Sequence, residues 1–189
     1  MHENLASLLS PLPSPASTKS YSLIVCLSPS SSRILLGLKK RGFGTGLYNS
    51  FGGKIEQGET PATGAARELE EEAGVRCPVN HMERCRVGDL HFTFADTNNK
   101  MLVHLFCVDL DSAEIDASSI NWECDEIAPR WFPMSEVPFG NMFADDSVWL
   151  PMLLKDASAR FSGYFHFQPG GDKVNLVDSY FLDLNSSPQ

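Results

Sequence analysis

The chain has little positive charge, no paired cysteine motif and no long apolar run. Lys and Arg number 15 against 24 Asp and Glu, a formal charge of −9, which repels a nucleic-acid backbone or an anionic membrane. A nucleic-acid polymer is therefore not an expected partner. A small anion is compatible, because a bound divalent cation reverses the sign of the local field. Five cysteines, Cys26, Cys77, Cys85, Cys107 and Cys124, and five histidines are scattered without C-x-x-C or zinc-ligand spacing, so neither a disulfide framework nor a structural zinc site is expected. No apolar stretch approaches the roughly 20 residues that span a bilayer. No repeat or internal low-complexity linker divides the chain. These absences leave the expectation of a cytoplasmic monomer that acts on small molecules.

What is present suffices for one ordinary domain, 189 residues of which 42% are hydrophobic, enough to close a core. The first 18 residues are rich in Ser and Pro, lack Lys and Arg and carry an early Glu, unlike the Arg-rich, acid-poor composition of a transit peptide. We expect tails at 1–18 and 185–189 around a domain at 19–184. Near its start, SLIVCL and RILLGLK flank the turn cluster SPSSS, a pattern that predicts a hairpin. Further strands are expected at 85–94, 101–110, 129–132, 164–168 and 174–181. One helix is predicted over 61–73, with Thr60 as N-cap, Pro61 at the first helical position and Gly74 just past its end. A second is predicted over 146–157 from its apolar spacing. Helices set into a strand-rich chain predict an α/β or α+β sandwich.

The first helix places its charges oddly. Ala62, Ala65, Ala66, Leu69 and Ala73 form one apolar stripe, and beside it lie Glu68, Glu71 and Glu72. Such carboxylates at i, i+3 and i+4 share a face, where each like-charge pair costs about 0.2 to 0.5 kcal/mol. Glu70, Glu71 and Glu72 also crowd the helix C-terminus, the end where the macrodipole disfavours negative charge. A solvated acidic face paired to basic side chains is the ordinary explanation of such a run, but Arg67 is the helix's one basic residue. A hard cation supplies the missing charge, and oxygen ligands at an incompletely closed site suit magnesium, which commonly bridges carboxylates to phosphates. Gly52 and Gly53 allow a tight loop whose backbone approaches a ligand or donates a carbonyl to the metal.

Gly53, Glu59, Arg67, Glu68, Leu69, Glu71, Glu72, Gly74 and Val75 stand at every fixed position of G-x5-E-x7-R-E-U-x-E-E-x-G-U, and the segment closely resembles the Nudix box. The resemblance implies an α/β/α sandwich with a mixed sheet between helices, and magnesium-dependent hydrolysis, with manganese able to substitute, of a nucleoside diphosphate linked to another group. It assigns Glu68, Glu71 and Glu72 to the metal, with Gly52 beside them. One of the glutamates would also take a proton from the attacking water. Arg67 and Glu59 would orient loop and helix, so that Glu71, Glu72 and Arg67 carry the catalysis.

The flanks LLGLKKRGFGTGLYNSFGGK and VPFGNMFADDSVWLPMLL, with GYFHFQ beyond, resemble the animal oxidised-purine nucleoside triphosphatases, which act on 8-oxo-dGTP and 2-hydroxy-dATP. The likeness runs from Tyr21 to about residue 182. A purine pocket needs an aromatic face and polar groups matched to the base edge. By the resemblance Asn49 meets the oxygen-bearing edge of the base, and Asp145 and Asp146 the opposite edge. Adjacent carboxylates oppose each other's ionisation, so one of the two can keep a proton and donate. The plainer alternative is that Asp145 simply caps the second helix. Phe43, Phe92 and Met101 match the pocket wall, Ser22 and Lys39 its floor or mouth, and Phe51, Gly52, Gly53 and Lys54 the loop that meets base and phosphates. Phe143 matches the ring that stacks on the base, and Glu126 a distant carboxylate that joins the metal cluster.

Two departures stand out. Tyr48 and Phe143 occupy positions where the animal enzymes carry tryptophan, and the connections at 76–86 and 109–122 are longer. The expected activity is hydrolysis of an oxidised purine nucleoside triphosphate to the monophosphate and pyrophosphate, which sanitises the nucleotide pool. Alternatives are a Nudix hydrolase for an undamaged nucleotide, a diadenosine polyphosphate or ADP-ribose, and a non-catalytic nucleotide-binding module.

Overall fold

The structure is a computed structural model that describes residues 18–95, 100–122, 124–170 and 173–183. The expected tails at 1–18 and 185–189 lie outside the described residues apart from Thr18, which opens the first strand. Among the described residues, eight strands and three α-helices follow one another as β1 (Thr18–Ser28), β2 (Arg33–Lys39), β3 (Tyr48–Asn49), α1 (Pro61–Ala73), α2 (Val79–Arg84), β4 (Arg86–Phe94), β5 (Lys100–Asp109), β6 (Ile127–Pro133), α3 (Asp146–Lys155), β7 (Phe161–Gly170) and β8 (Lys173–Asp183). They form one mixed sheet in the order β3-β2-β1-β5-β4-β7-β8, with β6 pairing β2. The β1/β5 and β4/β7 pairs are parallel, and the others are antiparallel.

Alternation along the central strands sends side chains to two separate cores. Ile24, Cys26, Leu35, Phe106 and Val108 face α1 and α2, packing on Ala62, Ala65, Leu69 and Met82. Val25, Leu27, Ile34, Leu36, Val103 and Leu105 face α3 and its Trp149, Leu150 and Leu153. Helices thus cover both sheet faces, the expected α/β/α sandwich. All five cysteines are free, and among the described residues no helix is long and apolar enough to cross a membrane.

One irregularity positions the site. β1 and β2 pair over only three residue pairs, Cys26–Leu35 to Ser28–Arg33, and then part. Residues 51–55 fill the gap against β1: Ile24 and Phe51 exchange backbone hydrogen bonds, Ser22 N–H donates to the Gly53 carbonyl at 2.8 Å, and Ile55 N–H to the Ser20 carbonyl at 3.0 Å. The loop from Lys39 to Lys54 is thereby clamped between the sheet and α1.

Most expected elements are present, with shifted ends. β7 starts at Phe161 rather than 164. The last helix stops at Lys155 because Asp156 is extended (φ −147°). α2 was not expected. It has six residues, follows Pro78 without a side-chain cap, and offers only Met82 as a buried anchor. It lies in one of the two long connections, which brace each other: Arg84 pairs with Glu114 at 2.8 Å, and Arg76 and Asp116 exchange backbone hydrogen bonds of 2.9 and 3.0 Å.

Candidate active site

The local signals of α1 act as its sequence requires. Thr60 Oγ1 accepts the Thr63 N–H at 3.2 Å, Pro61 opens the helix, and Gly74 closes it at φ 69° with its N–H on the Glu70 carbonyl. The buried stripe fixes the helix rotation, so Glu68, Glu71 and Glu72 face the clamped loop. That loop needs its glycines. A Cβ on Gly52 (φ 135°) would lie 2.3 Å from the Ser22 carbonyl oxygen, and one on Gly53 2.6 Å from the Glu68 carboxylate. The close approach lets Gly52 N–H donate to Glu72 Oε2 at 2.8 Å.

The ridge has more counter-charge than the sequence reading allowed. Arg67 is a hub: Nε and Nη2 grip both oxygens of Glu59 at 2.8 and 3.1 Å, Nη1 reaches Glu68 at 2.8 Å and Glu71 at 3.0 Å, and Nη2 also binds the Lys54 carbonyl at 3.2 Å. Glu59 further accepts the Glu56 N–H at 2.9 Å. The guanidinium and this N–H hold the Glu59 carboxyl down at about 2, and Glu59 in turn raises the pKa of Arg67. Glu70 points away and pairs with Arg76 at 2.8 Å, which offsets the acidic C-terminus. Glu72 is the exception. It is 7% exposed, and burial, aided by Glu68 and Glu71, pushes its carboxyl up to about 7 against the pull of Gly52 N–H and Lys39.

Glu68, Glu71, Glu72, Cys124 and Glu126 line a cleft of about 340 Å³, so the structure brings Glu126 to the ridge from the segment before β6. Glu126 is held there by Arg41. Among the described residues no three of His, Cys, Asp and Glu are gathered closely enough to grip an ion; Arg67 and Arg41 engage three of the cleft's four carboxylates instead. The chemistry of the donors nevertheless fits a hard cation. A larger hollow of about 530 Å³ opens behind α1, between Thr63, Arg67, Cys77 and Glu114, and includes none of the three ridge glutamates.

The expected pocket residues divide into those brought together and those set apart. Phe43 and Phe143 stack, with centroids 5.4 Å apart and planes at 22°. Phe43 is 67% exposed, and a Cβ on Gly44 would lie 2.2 Å from the Phe143 ring. Asp145 and Asp146 are both buried. Asp145 occupies the N-cap position of α3 without a capping hydrogen bond, because its Oδ2 accepts the Trp149 indole N–H at 3.0 Å. Asp146 Oδ2 accepts the Phe143 N–H at 3.1 Å, which ties the acidic pair to the aromatic plate. Burial pushes Asp145 up to about 6, and burial plus the charge of Asp145 pushes Asp146 well above the carboxylate range. Phe92 stacks on Phe165 at 5.3 Å and lies opposite Met101 in the β4/β5 ladder. The Asn49 Oδ1 accepts the Ser50 N–H at 2.9 Å.

Phe51, Ser22, Lys54 and Tyr48 lie in or against the clamped loop. The Phe51 ring is fully buried in the core beneath α1, so only its backbone lies in the loop. Ser22 is buried, its hydroxyl on the Gly53 carbonyl at 3.5 Å. Lys54 is exposed beside Glu56 at 3.7 Å. Tyr48 sits edge-on to Phe132 at 4.9 Å. Sequence reasoning missed Trp149 and Arg41. The i,i+4 spacing of Asp145 and Trp149 carried a signal for the first; the pairing of Arg41 with Glu126 spans 85 positions and carried none.

The NUDIX domain family matches residues 19–153. An oxidized purine nucleoside triphosphate hydrolase of Mus musculus is 39% identical over 153 residues, covering 81% of this chain and 89% of that protein. One of Danio rerio is 40% identical over 151 residues, covering 80% and 88%. The crystal structure of the mutator MutT protein from Bacillus halodurans matches with a TM-score of 0.70 at 20% identity, over 86% of this chain and 97% of that one, a likeness of fold.

Proposed function

The chain belongs to the Nudix family, and on that footing we propose that it hydrolyses oxidised purine nucleoside triphosphates, 8-oxo-dGTP and 2-hydroxy-dATP, to the monophosphate and pyrophosphate. The observation that carries the reading is one clamped loop, Lys39 to Lys54, with an acidic cleft at its Gly52 end and an aromatic plate backed by two aspartates whose burial opposes their ionisation at its Phe43 end. That both animal relatives are oxidized purine nucleoside triphosphate hydrolases supports the substrate class.

The residues fit a divalent cation, magnesium or manganese in its place, held by Glu68, Glu71, Glu72 and Glu126 with Gly52 beside them. When bound, it supplies positive charge opposite the triphosphate oxygens and the leaving pyrophosphate. The chain's own residues supply the rest. Arg67 and Glu59 pin the loop to α1, which fixes where the cleft carboxylates stand. Glu71 and Glu72 are the carboxylates available to take the proton of the water that attacks the α-phosphorus. Their neighbour Lys39 offsets phosphate charge. Phe43 and Phe143 offer the base an apolar surface. Burial and the charge of Asp145 favour the protonated, donating form of Asp146, while Asp145, raised to about 6, accepts or donates; redistributing the proton between them lets one pocket read either oxidised base. Asn49 serves the other edge. A phenyl ring offers less stacking surface than an indole, so Phe143 favours a weaker hold on the base.

We place this reaction on free nucleotide, performed by a monomer in the cytoplasm. The test is turnover of 8-oxo-dGTP, 2-hydroxy-dATP, dGTP and ADP-ribose, with products resolved chromatographically. Preference for the oxidised bases and release of pyrophosphate are expected; equal rates on 8-oxo-dGTP and dGTP would overturn the substrate assignment.

A further inference from the structure

Among the described residues the cleft's lining contains four carboxylates and no cation, and the positive groups that answer them are mounted outside it. Arg67 serves Glu68 and Glu71, Lys39 faces Glu72 and Arg41 serves Glu126. Arg67 is locked by its bonds to Glu59 and the Lys54 carbonyl. Arg41 is mounted differently. Its neighbour Lys40 is tied twice to the facing segment, N–H to the Glu126 carbonyl at 2.8 Å and Nζ to the Cys124 carbonyl at 2.8 Å, so the root of Arg41 is fixed across from Glu126. Among the described residues the guanidinium itself holds a single partner, in a pair whose side chains are 62% and 55% exposed. An exposed pair of this kind contributes at most about fivefold to an equilibrium constant. It is readily exchanged for a stronger one, and a guanidinium binds phosphate bidentately. Two residues further on, Phe43 lies against Phe143, so this loop reaches base plate and acidic cleft together.

We propose that Arg41 exchanges counter-ions: it holds Glu126 in the nucleotide-free protein and moves to the phosphate oxygens of an incoming triphosphate, which releases Glu126 to the cation. One ion pair is thereby replaced by two favourable contacts, and the repulsion between triphosphate and cleft falls. The inference rests on the cleft being the metal and phosphate site. Its consequence is a pair of opposite effects, since Arg41 competes with a cation that arrives alone and assists a phosphate chain.

The test uses the full chain with Arg41→Gln, Glu126→Gln and the double variant, titrated calorimetrically with manganese alone and with inorganic tripolyphosphate in the presence of magnesium. These probes need neither base recognition nor turnover. Arg41→Gln should bind manganese about two- to fivefold more tightly and tripolyphosphate at least about tenfold more weakly. In the Glu126→Gln background the same change should still weaken tripolyphosphate but no longer tighten manganese. If the unmodified protein binds both probes and Arg41→Gln shifts them in the same direction, or shifts neither, the exchange is overturned alone. If the unmodified protein binds neither probe, the functional reading falls and the exchange with it.

Discussion

Replacing Glu72 by glutamine should stabilise the metal-free protein while abolishing its activity. The carboxyl lies at about 7 in the folded chain against an ordinary 4.5, because burial and the neighbouring glutamates disfavour its charge. Between those two values the folded state keeps a proton that the unfolded chain has released, so the folded state loses stability as pH rises through this window, and the loss is complete above it. At a factor of ten per pH unit the full cost is about 3 kcal/mol. Glutamine is uncharged and still offers an oxygen to the Gly52 N–H, so the loop contact survives and the cost disappears. Urea or thermal unfolding with chelator should show parent and Glu72→Gln nearly equal at about pH 5 and the variant ahead at about pH 8.5, by on the order of 5–10 °C in Tm. The difference between the two proteins isolates this residue from Asp145 and Asp146, whose raised values act in the same direction in both. A variant less stable than its parent at the higher pH would refute the argument that Glu72 is held at a cost.

Other residues give further tests. Glu59 is held at about 2 by Arg67 and the Glu56 N–H, so its contribution is complete above 4.5 and fades as pH falls toward 2; Glu59→Gln should lower Tm at neutral pH, the gap closing in strong acid, and a pH-independent gap would contradict this. Asp145→Asn keeps an oxygen for the Trp149 indole and should fold, yet it and Asp146→Asn should alter the ratio of kcat/KM for 8-oxo-dGTP and 2-hydroxy-dATP in different ways. Full activity of both variants on both bases would remove the shared-proton account. Ser50 Oγ is, among the described residues, the one buried side-chain N or O without a hydrogen-bond partner; Ser50→Ala should leave stability unchanged or raise it by up to about 1 kcal/mol, and a clear drop in Tm would show a hidden partner.

Short-range features were readable in advance, and long-range ones were not. Thr60, Pro61 and Gly74 bound α1 because capping acts within a turn. The acidic ridge was visible as spacing, but its hub was expected only through the family resemblance: Arg67 reaches Glu59 eight positions away and the Lys54 carbonyl thirteen away, contacts that exist only once the loop is clamped. That clamp depends on β1 and β2 parting after three pairs, which no local pattern encodes. Phe51 shows the same limit, since a phenylalanine in a substrate loop and one in a core look alike until the fold turns the ring beneath α1. Asp145 sat where a helix cap was the plainer alternative, and its bond to the Trp149 indole leaves that helix start without a side-chain cap.

The central claim is that the Glu68, Glu71 and Glu72 ridge exists to hold a divalent cation. Calorimetric titration of magnesium into the protein saturated with 8-oxo-dGMP tests it most directly. The account predicts saturable binding that Glu68→Gln and Glu72→Gln each weaken at least about tenfold; binding that persists unchanged in both variants, or no binding in the parent, would contradict it.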